Sequence, residues 1–206
     1  MKLYTIKTPG ILKKLFSNYT WYFSSVPKSL YLTFDDGPTP EVTEYVLNEL
    51  KKFNAKATFF CIGKNVKCYH RLYEQILHDG HSVGNHTFNH LNGFTTRNRE
   101  YIENIQHAAA HIHSNLFRPP YGKIKSSQGR ELIKQGYKII MWDIISGDFD
   151  KKTTPEKCLE NVIQNTNNGS IIVMHDSKKA QEKVFYSLSK ILAHFTEKGY
   201  DFKAIV

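Results

Sequence analysis

The sequence predicts an α/β protein built on a parallel sheet, open or closed into a barrel. Three features lead there. Short apolar runs recur along the chain, several of them continuous rather than alternating, as in strands covered on both faces. Amphipathic stretches with helical spacing separate the runs. Gly80, Gly136 and Gly199 each follow such a stretch, where a left-handed helix cap is wanted.

The expected strands are 30–34, 57–62, 81–84, 116–118, 138–142, 170–174 and 202–205. The first expected helix opens at Pro40-Glu41, with Val42, Val46, Leu47 and Leu50 at helical spacing and Asn54 near its end. Others are 66–78, 99–113, 126–135, 155–166 and 180–198. Ahead of Lys28, residues 3–6 are expected as an extra edge strand and 11–16 as a short helix.

A chain of 206 residues, 40% hydrophobic and 13% aromatic, is enough for one sizeable core. No repeat or low-complexity linker divides it. Residues 1–27 read as an N-terminal extension packed on the domain, and 28–206 as the domain itself. The net charge is +9, but the lysines fall as dispersed pairs without a nucleic-acid-binding motif. They read as solvated helix faces, so no nucleic-acid partner is expected. Cys61, Cys68 and Cys158 have neither metal-type spacing nor a disulfide pattern, and Cys61 reads as a small buried hydrophobe. No stretch has the length and apolarity of a membrane span. Residues 1–23 lack an apolar core and a cleavage pattern, so no signal peptide is expected and the cytoplasm is the default compartment. The oligomeric state is left open.

The polar residues collect where the expected strands end. Asp35 and Asp36 close the first run, just before Gly37-Pro38 turns the chain. His86 and His90 follow the third, Arg118 ends the fourth, and Asp143 and Asp148 follow the fifth. His175 and Asp176 end the sixth. That rim is where barrels and open parallel sheets place their active sites. His86 and His90, four apart, share a face if they lie on a helical turn. Two imidazoles and one carboxylate, with positions left open, suit a catalytic divalent metal, usually zinc. Of the 10 histidines, His70, His78, His107, His111, His113 and His194 read as surface residues. Trp142 reads as core because it ends an apolar run, Asp176 as a rim or capping residue, and Lys178 and Lys179 as the solvated start of the last helix.

Thr33-Phe34-Asp35-Asp36-Gly37-Pro38 resembles the first motif of the polysaccharide deacetylases, the nodulation-protein-type domain of carbohydrate esterase family 4. His86-Thr87-Phe88-Asn89-His90 resembles the second motif, Arg118-Pro119-Pro120-Tyr121-Gly122 the third and Val173-Met174-His175 the fifth. Four short motifs in order, from about Ser29 to the C-terminus, are far more specific than any one alone. The resemblance implies a deformed, seven-stranded (β/α) barrel that hydrolyses N- or O-acetyl groups on a sugar. It implies Asp36, His86 and His90 as ligands of one divalent ion, Zn2+ or else Co2+ or another. Asp35 is then the general base, Arg118 its partner through a bidentate hydrogen bond, and His175 the general acid. The backbone N–H of Tyr121 is an expected oxyanion donor.

The fourth motif departs from the family pattern. Asp148 matches the aspartate that orients the histidine, but Phe149 stands where tryptophan is usual and Ile145 replaces an earlier aspartate. Phe149 keeps an aromatic face for sugar stacking and loses the indole N–H. Asp143 is a possible substitute for the missing aspartate from two positions upstream. Val173 is expected to line a pocket for the acetyl methyl. The partner implied is an acetylated oligo- or polysaccharide such as chitin oligomers or peptidoglycan glycan. The competing readings are an amidohydrolase acting on a small non-sugar amide, and a non-catalytic carbohydrate-binding protein on the same fold.

Overall fold

A continuous apolar run can be buried on both faces only at the centre of a covered sheet. β1 (Ser29–Asp35) does this, with all seven residues buried. The structure, a computed structural model, describes residues 4–24 and 27–206. Parallel to β1 on one side lies β2 (Ala57–Cys61), and on the other β7 (Ile171–His175). β3 (Ser82–Asn85), β4 (Leu116–Phe117) and β5 (Lys138–Ile139) continue outward from β2. β6 (Ile144–Ile145) flanks β7, giving the order β5-β4-β3-β2-β1-β7-β6. These seven parallel strands curl into a half-barrel, and a short β8 (Asp201–Phe202) pairs with the start of β1.

Side chains alternate across each strand. Leu30, Leu32 and Phe34 of β1 pack outward with Phe59, Ile172 and Met174 in the main core, together with residues of α2 (Val42–Lys52) and α8 (Gln181–Glu197). Tyr31 and Ile171 point the other way, into a smaller inner cluster with Phe60 and Ile140. By the same alternation Thr33, Asp35, Val173 and His175 fall on the inner side. Asp35 is in register with His175 across β1 and β7.

The remaining helices are α1 (Gly10–Leu15), α3 (Gly63–Cys68), α4 (His70–His78), α5 (Asn98–Ala109), α6 (Ser126–Lys134) and α7 (Pro155–Asn165). The expected helix 66–78 is interrupted at Tyr69, whose φ of −121° and ψ of 47° are not helical. Gly136 and Gly199, at φ +90° and +74°, form the expected left-handed caps beyond α6 and α8. None of the three cysteines forms a disulfide among the described residues, and Cys61 is buried. No helix among the described residues is long and apolar enough to cross a membrane.

The single expected strand 138–142 keeps only its first two residues, as β5, and the unexpected β6 begins beyond it on the opposite edge of the sheet. The carbonyls of Ile140 and Met141 accept hydrogen bonds from the Arg118 side chain at 3.1 and 3.0 Å, so neither serves a neighbouring strand. The expected strand 202–205 is instead the two-residue β8, one position earlier, paired with Ser29 and Leu30.

The N-terminal segment covers the seam between the two edges. Thr20 bridges to Ile140 beside β5, Lys7 bridges to Ile144 in β6, and Tyr22 bridges to Ser170. α1 is the expected short helix. Of the expected edge strand 3–6, residue 3 lies outside the described residues, and the pairing is a single bridge at Lys7. The Asp143 carboxylate is buried, accepts from Ser170 at 2.6 Å and is ion-paired with Lys13 of α1. Gly169 closes the seam's far end: its φ is +76°, and a Cβ there would lie 1.7 Å from the Phe23 carbonyl oxygen. Gly169→Ala is therefore expected to cost more than about 2 kcal/mol, read from the midpoint of urea unfolding.

Candidate active site

Adjacent strand residues point to opposite faces, so Asp35 and Asp36 can serve one cavity only if the backbone turns between them. It does. Asp36 has φ +80°, which swings its carboxylate back over the inner side. Gly37 follows because the chain passes directly over Asp176: a Cβ at 37 would lie 1.9 Å from Asp176 Oδ2. Asp176 is fully buried rather than a rim residue, and its Oδ2 accepts from Thr43 Oγ1 at 2.5 Å. Burial, reinforced by nearby Asp36, raises its carboxyl to about 7.

Asp35 is 4% exposed, and its Oδ1 accepts from Arg118 Nη1 at 2.7 Å. The expected bidentate pairing does not form. Nη1 also donates to Thr33 Oγ1 at 2.7 Å, while Nε and Nη2 go to the Ile140 and Met141 carbonyls. The guanidinium is fully buried against the Phe60 ring, 4.0 Å from its centroid. Nη1 splits its two N–H groups between Thr33 and Asp35, so a single bond reaches the carboxylate.

His86 and His90 meet, but not on a helical turn. The residues after β3 form a loop in which Thr87 and His90 both have positive φ, +64° and +56°. That loop brings His86 Nε2 and His90 Nε2 to 3.7 and 3.1 Å from Asp36 Oδ1. His86 Nδ1 lies 2.7 Å from the Arg118 carbonyl oxygen. A carbonyl can only accept, so Nδ1 carries the proton and the Nε2 lone pair faces Asp36. Burial lowers His86 to about 4, so its imidazole is neutral at pH 7. His90 Nδ1 is 3.1 Å from the Tyr121 hydroxyl, whose ring also stands edge-on to the imidazole. Burial alone would raise the Asp36 carboxyl, but His90, His175 and His86 outweigh it and hold it below the usual range.

One observation tests this trio for a metal ion. Asp36 Oδ1 is buried with no hydrogen-bond partner, although both imidazoles face it. A buried carboxylate oxygen in that state lacks a cation or a donor. The ligand atoms of Asp36, His86 and His90 lie within 4.8 Å of one another, so the donor set fits a divalent ion.

His175, at the end of β7, contacts Asp148 twice. Its backbone N–H donates to Oδ2 at 2.7 Å, and its Nδ1 lies 2.7 Å from Oδ1. Burial works against protonation of His175, but Asp148, with Asp36 and Asp35 behind it, raises the imidazole to about 10. Phe149 packs against the His175 ring at a centroid distance of 5.2 Å.

These groups line one pocket of about 450 Å³: Asp35, Asp36, His86, His90 and His175 with Tyr121, Phe149, Val173 and Ile145. Arg118 and Asp148 stand behind its wall. Three lining residues escaped the sequence reading. Trp142, expected in the core, is half-buried and faces the pocket, because the chain has left the β5 ladder at that point. Tyr4 enters from the N-terminal segment and packs against Phe149 with the rings tilted and their centroids 4.9 Å apart. Lys179, expected as helix surface, lies before α8 with its Nζ 5.9 Å from the Phe149 ring centroid. The Trp142 aromatic ending and the neighbouring Lys178-Lys179 pair were the available signals. Asp143 does not replace the missing aspartate at 145, since its carboxylate is committed to Lys13 and Ser170 in the seam.

The polysaccharide deacetylase family profile matches residues 24–140. The chain is 31% identical over 192 residues to a Bacillus cereus peptidoglycan-N-acetylglucosamine deacetylase, covering 90% of each chain. It is 33% identical over 168 residues to the chitooligosaccharide deacetylase of Azorhizobium caulinodans, covering 78% of this chain and 79% of that one. A solved peptidoglycan N-acetylglucosamine deacetylase, in complex with an N-oxidanyl-benzamide, superposes with a TM-score of 0.83 at 29% identity and 91% coverage of both chains. Profile, identity over nearly the full length and shared architecture agree with the pocket's chemistry: this chain belongs to the polysaccharide deacetylase family, whose members depend on a metal ion.

Proposed function

We propose that this chain hydrolyses the acetyl group of N-acetylated sugars in an oligo- or polysaccharide, with residues 28–206 as the catalytic domain and 1–27 as an extension. The observation that carries the reading is the separation of the two aspartates. Asp36 faces two imidazoles, whereas Asp35 faces a buried guanidinium, within one pocket. The relatives named for peptidoglycan and for chitooligosaccharides support an N-acetylglucosamine-containing glycan as substrate.

Asp36, His86 and His90 are the proposed ligands of one divalent ion, and two imidazoles with one carboxylate favour zinc. That ion supplies Lewis-acid activation of water and polarisation of the acyl carbonyl. Asp35 takes the proton of the attacking water; its single hydrogen bond from Arg118 leaves lone pairs free to accept it. The Tyr121 backbone N–H is the proposed second oxyanion donor, a role worth about 3 kcal/mol in other acyl-transfer sites. His175, held protonated by Asp148, gives its proton to the departing amine. Val173 and Ile145 close the apolar end around the acetyl methyl, and Phe149 offers a stacking face to the sugar ring.

The test is acetate release from chitin oligomers, peptidoglycan fragments and acetylated xylan, with zinc or cobalt. Release from none of them, with metal bound, would sink the reading. Asp36→Ala is expected to leave the protein folded with its stoichiometric zinc lost in elemental analysis. Asp35→Asn is expected to retain zinc while kcat falls about 10²–10⁴-fold; full activity in that variant overturns its role as base. Asp148→Asn removes the charge that favours the imidazolium, so the His175 pKa falls and the acid form disappears at lower pH. The alkaline limb of kcat/KM should then move down by at least about one pH unit, whereas an unmoved limb would remove His175 as the acid.

A further inference from the structure

A second cavity, of about 650 Å³, adjoins the catalytic pocket and shares Tyr4, Tyr121, Trp142 and Ile145 with it. Its size is within the range of about 300–1,000 Å³ that small-molecule sites occupy. No charged side chain lines it. Much of its wall comes from the N-terminal segment, through Leu12, Phe16, Tyr19 and Trp21, ahead of the residues that the family profile matches. Phe94 also lines it.

The wall is fixed in place. Thr8 donates its backbone N–H to the Asp143 carbonyl at 2.8 Å and its hydroxyl to the Trp142 carbonyl at 2.8 Å. Trp21 Nε1 donates to the Phe16 carbonyl at 3.0 Å. The large apolar side chains at the mouth are nevertheless left to solvent: Leu12 is 40% exposed, Phe94 57% and Tyr121 62%. Exposed aromatic and aliphatic groups gathered around a cleft mark a binding surface.

We propose that this cavity is a substrate subsite for further pyranose rings of the same glycan chain whose acetyl group lies in the catalytic pocket. The inference rests on the deacetylase reading above. Continuity decides the occupant: a chain leaving the catalytic pocket past Tyr121 and Trp142 enters this cavity directly. The chemistry agrees. Aromatic faces stack on the C–H faces of a pyranose, and the open mouth leaves the sugar hydroxyls in water, where they keep their hydrogen bonds. A wall without charge offers nothing to an anionic substituent. The N-terminal segment thereby sets the preferred length of the substrate.

Both tryptophans of the chain, Trp21 and Trp142, line the cavity, so intrinsic fluorescence reports on it directly. The experiment compares the N-acetylglucosamine tetramer with the dimer, in the zinc-loaded full chain and in the exposed-site variant Phe94→Ala combined with Leu12→Ser. The ratio of kcat/KM on tetramer to that on dimer is expected to fall about tenfold in the double variant. The tetramer-induced fluorescence change should weaken in parallel, and Phe94→Tyr alone should retain the ratio. An unchanged ratio with an unchanged tetramer titration overturns the proposal. With octyl N-acetylglucosaminide added as a third ligand, a loss confined to it also overturns the proposal and gives the cavity to hydrocarbon. If no glycan releases acetate but the tetramer titration is still lost in the double variant, the subsite stands and the reaction assignment falls.

Discussion

Arg118 is a full positive charge with no exposed surface, and the inner half of the barrel is arranged around it. Its donors reach Thr33 and Asp35 on β1 and the carbonyls of Ile140 and Met141 where the chain leaves β5. Its own carbonyl fixes the His86 ring. A cation removed from water is tolerated only when paired and hydrogen-bonded, and deleting one partner of such a pair typically costs about 3–5 kcal/mol. The same residue therefore draws the chain out of the sheet, orients a carboxylate and selects an imidazole tautomer. Burial lowers its pKa, yet an arginine so placed stays charged at neutral pH.

Two neighbouring carboxylates in one cavity normally repel until one takes a proton. Here they face different partners, the guanidinium for Asp35 and the two imidazoles for Asp36. The acid that does approach neutrality by burial is Asp176, beneath Gly37, where Thr43 donates to one oxygen. At the ends of two neighbouring strands the fold thus holds three aspartates in three electrostatic settings.

The strands β1, β2 and β7 were legible through their continuous apolar runs, because burial on both faces writes itself into composition, and β3 and β4 also fall where expected. The residues of the site were legible through their motifs, and the structure brings Asp35, Asp36, His86, His90, Tyr121 and His175 into one pocket. What was not legible was governed by tertiary partners. Residues 138–142 look like one strand, and only the demand of Arg118 for two carbonyls breaks it. His86 and His90 have helical spacing, but positive φ at Thr87 and His90 does the work of the turn. Trp142 reads as core until the loss of the ladder exposes one face of it. Asp143 and Asp176 are acids at the right place in the sequence whose carboxylates point to Lys13 and Thr43 instead.

The N-terminal segment has a consequence for the order of assembly. Its anchors lie far along the chain: Lys13 and Thr8 contact residues 130 and 134 positions later. Contacts of such separation close large loops and form late. During synthesis this segment emerges before the edges it covers, which do not exist until β5, β6 and β7 have been made. It must wait, apolar and unpartnered, while the parallel sheet nucleates elsewhere, and it docks as a final latch. The wall of the aromatic cavity is then the last part of the molecule to become structured.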